Sequence, residues 1–327
     1  MKIETLHGLD AVDPARWLVL LDRAPSRSVF MTPPWQREWL RAFGAGRPVR
    51  VLAVSDAGET LAGLLPLYEE APGLWRIVGG IDVSDYLDLI AAPGRDEEVW
   101  EAVLQHRAAE RDTWHLRGVR AASATASRLP ALAPAHGLRA EVEREERCPV
   151  LELPDSWDAY LARLSGKDRH ELRRKMRKLE NELPEVRVRS VSAPAELDAA
   201  LGAFLRLHRQ SRTGKAKFMD ERMERFFRAA LGALAERGWV RLWLLESAGT
   251  AVASFICTEF GGCVGLYNSG FDPAHSKLAP GIVLLGHVIR DAIERRIPLF
   301  DFLRGDEPYK YAFGPIPTDV MSVRLSP

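Results

Sequence analysis

The chain has 327 residues, of which 46% are hydrophobic and 28% charged, the composition of a globular protein that can bury a sizeable core. Lys and Arg number 45, as do Asp and Glu, so the zero net charge argues against a protein that coats nucleic acid along its whole surface. The three cysteines have neither CxxC spacing nor a His/Cys ligand pattern, so we predict no disulfide scaffold and no metal site.

The length indicates two domains, or one large one. A linker near Pro149–Ser156 predicts that the domains cover residues 1–153 and 154–327. The chain starts MKIETLHGLD, which lacks the apolar stretch of a signal peptide. No apolar run approaches the ~18 residues that span a bilayer. We therefore expect a cytoplasmic protein without a membrane span.

The first predicted elements belong to a hairpin at Val49–Gly63, in which apolar β-formers flank an Ala-Gly turn that permits positive φ. Four landmarks follow in order: a strand from Tyr86, the pair Pro93-Gly94, a helix that opens with Asp96-Glu97-Glu98, and a strand that ends Leu116-Arg117-Gly118.

Helices are predicted to open the second half. Apolar residues recur at helical spacing from Tyr160 to Leu183, and Pro184 ends the run. Within it, Lys167–Lys178 holds seven Lys or Arg against two acids, most simply a solvated helix face. Two further helices are predicted around Ala195–Gln210 and Glu221–Gly238.

The landmarks of the first half then return in the same order. The hairpin Val240–Ser254 resembles the first one, and it is followed by a strand with Tyr267, the pair Pro280-Gly281, a helix, and a strand that ends Leu303-Arg304-Gly305. We interpret this order as an internal duplication. Two unrelated α/β segments with similar turn residues are the alternative.

The two copies differ where the helix begins. The acids Asp96-Glu97-Glu98 complement the helix dipole in the first copy and would repel a phosphate. The second copy has a longer loop with Lys277, and no acid follows Gly281 until Asp291. Because free N–H groups and the dipole favour an anion at a helix start, we expect only the second copy to bind a pyrophosphate. An ordinary loop with Pro near N1 is the alternative.

Three segments, FDFLRGDEPYKYAFG, SDYLDL and RRKMRKLE, resemble the CelD-like or BioF-like acetyltransferases of the GNAT superfamily, which are related to Fem-type aminoacyltransferases. The resemblance extends from Trp35 to about Val323 and is not specific to a substrate. It implies an α/β fold of the α+β type, with two tandem GNAT-like halves that are each a mixed, mostly antiparallel sheet flanked by helices. A degenerate N-terminal half would hold the acceptor, and the C-terminal half the acyl donor.

The resemblance also implies the donor, acetyl-CoA or another acyl-CoA. The usual arginine/glutamine-glycine-rich signature is missing, so this site depends on the position and character of its loop. The residues expected to contact the donor are Tyr267, Asn268, Ser276, Lys277, Pro280 and Gly281. A core-edge aromatic is the alternative for Tyr267. Lys167–Lys178 would meet the 3′-phosphate of coenzyme A or a tRNA acceptor stem.

Candidate catalytic residues follow the last predicted strand of this half. Asp301 lies in the apolar segment LFDFL, so it is a base with a raised pKa or, as we favour, a structural acid. The resemblance implies that Tyr309 protonates the leaving thiolate and that Lys310 stabilises charge on the transferred carbonyl. A surface lysine on a C-terminal helix is the alternative for Lys310.

Four residues of the first half are candidates for acceptor binding. Asp85, Tyr86 and Asp88 would offer carboxylates and a ring to an amine or a sugar, unless they form only a polar turn. Trp35 would line the same cleft, and the hydrophobic face of a helix is the alternative for it.

These expectations describe an acyltransferase that moves an acyl group, with acetyl expected first, from acyl-CoA directly to an amine or hydroxyl. No Ser/His/Asp or Cys/His set indicates an acyl-enzyme. The acceptor, a small molecule or a cell-envelope precursor, would enter between the halves. A Fem-type transferase that uses aminoacyl-tRNA is the alternative, and a non-catalytic binding protein the second. The oligomeric state is left open.

Overall fold

The computed structural model describes residues 1–108, 110–211 and 213–327. The chain divides into two compact units, of which the first comprises Met1–Arg147 and Thr318–Pro327 and the second Cys148–Pro317. This division differs from the predicted one, because the border lies before residue 153 and the last residues belong with the first unit. The cause is strand pairing, since the C-terminal strand pairs with a strand of the first unit.

The first unit has a sheet of mixed, mostly antiparallel strands. Its strands are β1 (Lys2–His7), β2 (Val49–Ser55), β3 (Leu61–Ala71), β4 (Leu74–Ile77), β5 (Ile90–Ala91), β6 (Thr113–Arg120) and the C-terminal β13 (Ile316–Ser326). The strand order is β1-β2-β3-β4-β6-β13, and of these pairs only β4 with β6 is parallel. Its helices are α1 (Pro14–Arg23), α2 (Pro33–Phe43), α3 (Asp96–Arg107), α4 (Ala124–Ser127) and α5 (Leu129–Leu132).

The second unit repeats this plan. β7 (Arg139–Glu152) crosses the border between the units, and it is followed by β8 (Arg187–Val191), β9 (Val240–Ser247), β10 (Thr250–Phe260), β11 (Cys263–Phe271) and β12 (Leu299–Asp301). The order is β7-β12-β11-β10-β9-β8, with only β11 and β12 parallel. The helices are α6 (Trp157–Arg163), α7 (Gly166–Glu182), α8 (Pro194–Ser211), α9 (Thr213–Phe218), α10 (Glu221–Ala235), α11 (Pro280–Glu294) and α12 (Pro308–Tyr311).

The predicted fold class is confirmed, since each unit is a mixed, mostly antiparallel sheet with helices. The repeat also extends to topology. In each unit two hairpins give three antiparallel strands, a helix follows, and the next strand pairs parallel with the third: β2-β3-β4-α3-β6 in one and β9-β10-β11-α11-β12 in the other.

Two predicted strands are shorter than expected. The strand predicted from Tyr86 is reduced to β5, because the amides before it bond elsewhere: Leu87 N donates to the Gly118 carbonyl and Leu89 N to the Asp88 carboxylate. The strand predicted to reach Leu303-Arg304-Gly305 ends at Asp301, because Leu303 has a φ of 53° and leaves the β region.

The core of the second unit fixes α11 against one face of the sheet. Side chains of α11, among them Leu284 and Val288, join alternate residues of β9 and β10 such as Trp243 and Phe255 in one buried cluster. The helices α8 and α10 contribute none of their residues to this cluster and pack on the strands as well. Since successive strand residues point to opposite faces, α8 and α10 cover the other face.

Gly270 of β11 is where α8 comes closest to the sheet. A Cβ built there would lie 2.5 Å from the Leu207–His208 peptide nitrogen and 2.7 Å from the Leu207 carbonyl carbon, and backbone cannot yield as a side chain does. We expect Gly270→Ala to lower the free energy of unfolding by about 2 kcal/mol. Gly232→Ala in α10 is the matched control, because open space surrounds that position. It should raise stability by about 1 kcal/mol in the same urea titration. Equal midpoints for the two variants would contradict the close approach.

Candidate active site

β11 and β12 form a fork in the second unit. Their parallel ladder joins Cys263–Gly265 to Leu299–Asp301, while β11 continues along β10 as far as Phe271. In the described chain no ladder joins the outer part of β11 to the segment after Asp301. We call this place the β11–β12 fork. It leaves a backbone edge of β11 beyond Gly265 outside the regular ladder.

A β-bulge lies in the same part of β11, in its ladder with β10. Asn268 stands opposite Ile256 and Leu266 opposite Cys257, so Tyr267 is the extra residue. The Tyr267 ring stacks on Phe227 of α10 with ring centroids 5.7 Å apart, as the core-edge alternative anticipated. The Asn268 side chain accepts a hydrogen bond from Ser269 N at 2.8 Å. The bulge thus brings both predicted residues to the fork, with the ring directed at α10.

The loop after β11 leads into an uncapped helix. Asp272 accepts a hydrogen bond from Ala274 N and caps the 3₁₀ helix Pro273–Leu278. Ala279 then takes left-handed dihedrals, with φ and ψ both 50°, and α11 begins at Pro280. Alanine has no polar side chain for capping, and the first turn of α11 contains no acid. The positive end of the helix dipole is therefore not neutralised by the helix itself.

The predicted donor contacts gather on this turn. Ser276 and Lys277 are exposed, Pro280 is buried, and open space surrounds the Cα of Gly281. Lys178 Nζ of α7 donates to the Lys277 carbonyl at 3.3 Å. The basic helix α7 is thereby tied to the loop, a contact that the solvated-face interpretation of its sequence did not include.

The segment after β12 is organised around Lys310, which is 3% exposed. Its Nζ donates to the carbonyls of Leu303, Arg304 and Gly305 at 3.4, 3.0 and 2.9 Å, and it lies 2.9 Å from Glu307 Oε2. We call these five residues the Lys310 cage. The lysine is thus no surface residue, and its ammonium already has as many carbonyl acceptors as it has protons.

Two backbone features hold the cage together. Asp301, buried at the end of β12, accepts a hydrogen bond from Leu303 N at 2.7 Å, which supports the left-handed dihedrals of Leu303. Gly305 has a φ of 117°, and a Cβ there would lie 2.4 Å from Glu307 Oε2. A side chain at Gly305 would therefore displace the carboxylate that meets Lys310.

The helix α12 is fixed on both sides of Tyr309. Tyr311 donates to the Asp306 carboxylate, and Tyr160 of α6 donates to the Phe313 carbonyl at 3.0 Å. Burial raises the pKa of Tyr160, so it remains a neutral donor. Tyr309 is 38% exposed. Of the three residues predicted to be catalytic, it is the accessible one.

The predicted acceptor residues of the first unit mostly lie in its core. Trp35 is fully buried, and its Nε1 donates to Ser84 Oγ at 2.8 Å. Tyr86 is buried too, with the Arg120 guanidinium 3.7 Å from its ring centroid. Asp85 is partly exposed. The burial of Trp35 and Tyr86 favours structural roles for both.

Asp88 is 4% exposed and belongs to the same core. Its Oδ1 accepts hydrogen bonds from Thr125 Oγ1 and, at 2.7 Å, from Leu89 N. Burial raises the pKa of Asp88 to about 6, against the hydrogen bonds and the Arg120 charge, which lower it. Thr125 and Arg120 lack any sequence signal that would have linked them to Asp88.

Residues 1–108, 110–211 and 213–327 contain no helix whose length and apolar character suit a membrane crossing. Within the same residues, no three or more His, Cys, Asp or Glu side chains are grouped as metal ligands.

Comparison with known proteins gives one family and several structural relatives. Residues 166–311 match the family model of the acetyltransferase (GNAT) domain. The chain superposes on a crystal structure of FemX with a TM-score of 0.68 at 12% identity, covering 98% of this chain and 96% of that one. No curated protein sequence matches.

Two further structures share the fold. One is the C-terminal domain of a putative lysylphosphatidylglycerol synthetase from Agrobacterium fabrum, with a TM-score of 0.59, 10% identity, and coverage of 94% of this chain and 90% of that one. The other is L-PGS from Bacillus licheniformis, with a TM-score of 0.58, 12% identity, and coverage of 95% and 91%. At such identities the likeness concerns the fold.

Proposed function

We propose that the chain is an acyltransferase of the GNAT superfamily, whose acetyltransferase domain model matches residues 166–311, and that it transfers an acyl group from an acyl-CoA directly to an amine or hydroxyl. The observation that carries the proposal is the start of α11. Its first turn is uncapped and free of acids, with Lys277 exposed beside it. A pyrophosphate would receive the Gly281 N–H, the helix dipole and one lysine charge, because Pro280 has no N–H and those of Ile282 and Val283 donate to the Ala279 carbonyl.

The acyl group would lie at the β11–β12 fork. There the backbone groups of β11 beyond Gly265, which lie outside the ladder with β12, would face the thioester carbonyl. The acceptor atom attacks the carbonyl carbon, a C–N or C–O bond forms, and the C–S bond breaks. The acceptor loses a proton, and the thiolate of coenzyme A gains one. Tyr309 is our candidate for the acid, since its side chain is accessible.

In this proposal Lys310 acts differently from its expected role, whereas Asp301 has the structural role that its sequence favoured. We assign Lys310 to positioning, because its ammonium is directed at three carbonyls and at Glu307. Asp301 supports the same segment through the Leu303 amide. Both hold the 303–305 segment in place. The oxyanion that forms on the acyl carbonyl would be stabilised by backbone N–H groups.

Aminoacyl-tRNA is the second candidate donor. The FemX-like fold and the basic helix α7 favour it, because Fem-type enzymes, which the sequence resembles, transfer aminoacyl groups. The acceptor would then be a cell-envelope precursor or a lipid. In the first unit, the partly exposed Asp85 is the remaining candidate of the predicted acceptor residues.

Calorimetric titration with acetyl-CoA tests the donor site. We expect saturable one-site binding that Lys277→Glu weakens about tenfold, because a repelling charge replaces an attracting one beside the pyrophosphate. Lys217→Glu on α9 is the control, an equal charge reversal at an exposed lysine of another helix. If neither acetyl-CoA nor longer acyl-CoA binds, coenzyme A is not the donor. Equal weakening by both substitutions would refute the site at α11.

A further inference from the structure

The Leu303 side chain closes the narrow end of the β11–β12 fork. The two strands stop pairing after Gly265 and Asp301. A Cβ built at Gly265 would lie 3.3 and 3.5 Å from Leu303 Cδ1 and Cδ2. Since Leu303 follows the end of β12 by two residues, its methyl groups reach across to β11 at the point where the strands separate. The side chain is 4% exposed.

The missing side chain of Gly265 gives Leu303 its place. The same Cβ would also lie 2.6 Å from Thr258 Oγ1 of β10, a distance that such atoms do not approach without a shift. Thr258 and Leu303 therefore already fill the space above the bare backbone of Gly265. Not even a methyl group fits there, so the narrow end of the fork is closed.

This closure lies on the face of the sheet opposite α11. Val264 and Leu266 belong to the buried cluster of α11, whereas Leu303 and Thr258 lie outside it. Because successive strand residues alternate between faces, the open side of Gly265 points away from α11. A donor whose pyrophosphate sits at the start of α11 approaches from that helix, so the end of its acyl chain is the part that would meet Leu303.

The backbone of Leu303 is held at both ends. Its N–H donates to Asp301 Oδ1 at 2.7 Å, and its carbonyl accepts from Lys310 Nζ at 3.4 Å. Its φ of 53° is one that glycine adopts freely and leucine rarely does. These two hydrogen bonds would serve glycine equally well, but the contact with Gly265 requires the leucine side chain. Strained residues of this kind persist where the surroundings fix them, often at functional sites.

We propose that Leu303 restricts the acyl group of the donor to a short one, so that acetyl is accepted and a chain of four carbons is not. The inference rests on the proposed acyl-CoA donor and adds the residue that selects its chain length. A longer chain would have to displace a side chain whose backbone cannot turn away. One additional methylene group in a closed apolar pocket changes affinity by about tenfold or more.

Calorimetric titrations with free coenzyme A, acetyl-CoA and butyryl-CoA test the proposal. We expect the wild-type protein to bind butyryl-CoA at least about tenfold more weakly than acetyl-CoA. Leu303→Gly removes the side chain and suits the left-handed backbone, so it should bring the two affinities together. Its affinity for free coenzyme A should not change, because that ligand has no acyl chain. Leu245→Ala is the control, since this buried leucine of β9 lies two strands from β11.

The outcomes distinguish this inference from the proposed function. A gain in affinity confined to butyryl-CoA and to Leu303→Gly supports it. Equal affinities for the two esters in the wild-type protein overturn the inference alone, as does a preference that Leu303→Gly leaves intact. Equal weakening of all three ligands in that variant would assign Leu303 a purely structural role. If no form of coenzyme A binds the wild-type protein, the proposed donor is wrong and this inference falls with it.

Discussion

Lys310→Met is expected to lower the free energy of unfolding by about 3 kcal/mol and to abolish acyl transfer. The methionine keeps the length of the side chain but removes the charge that meets three carbonyls and Glu307. Breaking a fully buried pair costs about 3–5 kcal/mol, and the lower value applies because Glu307 is half exposed. Urea unfolding followed by tryptophan fluorescence measures the loss.

The stability measurement distinguishes the two roles considered for Lys310. A positioning lysine affects stability and turnover together, since the 303–305 segment loses its fixed conformation. An oxyanion-binding lysine would affect turnover alone. A Lys310→Met protein that unfolds at the wild-type urea concentration but has lost activity would therefore support the oxyanion-binding role and contradict the positioning role.

Glu307→Gln is the control for the cage. It retains an oxygen near Lys310 and removes only a half-exposed charge, so we expect a loss below about 1 kcal/mol. Gly305→Ala approaches the same segment from the backbone, because Gly305 has a φ of 117°, which residues with a Cβ rarely adopt, so the substitution strains the chain whose carbonyls meet Lys310. Its loss of stability should be closer to that of Lys310→Met than to that of Glu307→Gln. The reverse order would mean that the glycine is not required by the cage.

The sequence predicts what depends on local pattern. The hairpin at Val240–Ser254 and the helix after Pro280-Gly281 follow from turn residues and apolar spacing, and both are confirmed. The repeated order of elements is confirmed as well, because each copy carries its own turns. The same information locates the uncapped start of α11, since capping depends on the residues next to the helix.

The pairing of distant strands and the direction of individual carbonyl groups cannot be predicted from neighbouring residues. The last strand belongs with the first unit because Val320–Leu325 pair with β6. The residues of the strand do not indicate this partner. The Lys310 cage depends on the φ of Leu303, and leucine rarely adopts positive φ. Tyr86 and Asp88 have the composition of an exposed turn, yet the amides around them bond inside the core.

Asp88→Asn is expected to stabilise the protein at neutral pH. The pKa of Asp88 is about 6 in the folded state against 3.8 as the ordinary value. The folded state therefore binds the proton more tightly than the unfolded state does. The stability that comes from this tighter proton binding is complete below pH 3.8 and is lost as the pH rises through about 6. The difference corresponds to about 3 kcal/mol.

The Asp88→Asn variant isolates this charge effect. The side-chain amide oxygen that it introduces would still accept from Thr125 and Leu89, as the Asp88 carboxylate does now, but no buried group would ionise. Urea midpoints measured from acid to neutral pH should fall for the wild-type protein relative to the variant between about pH 4 and pH 6. Above that window the variant should be the more stable of the two. A constant difference at every pH would refute the raised pKa.

Thr125→Val is expected to shift the pKa of Asp88 further upward. The threonine hydroxyl lowers the pKa of Asp88 by donating to its charged form. Its removal should raise that pKa further, so the decline in stability should extend to higher pH and become larger. The Arg120 charge acts in the same direction as the hydroxyl. The double variant Asp88→Asn/Thr125→Val should show no further change in pH dependence relative to Asp88→Asn, because the coupling between the two positions requires a carboxylate that can ionise.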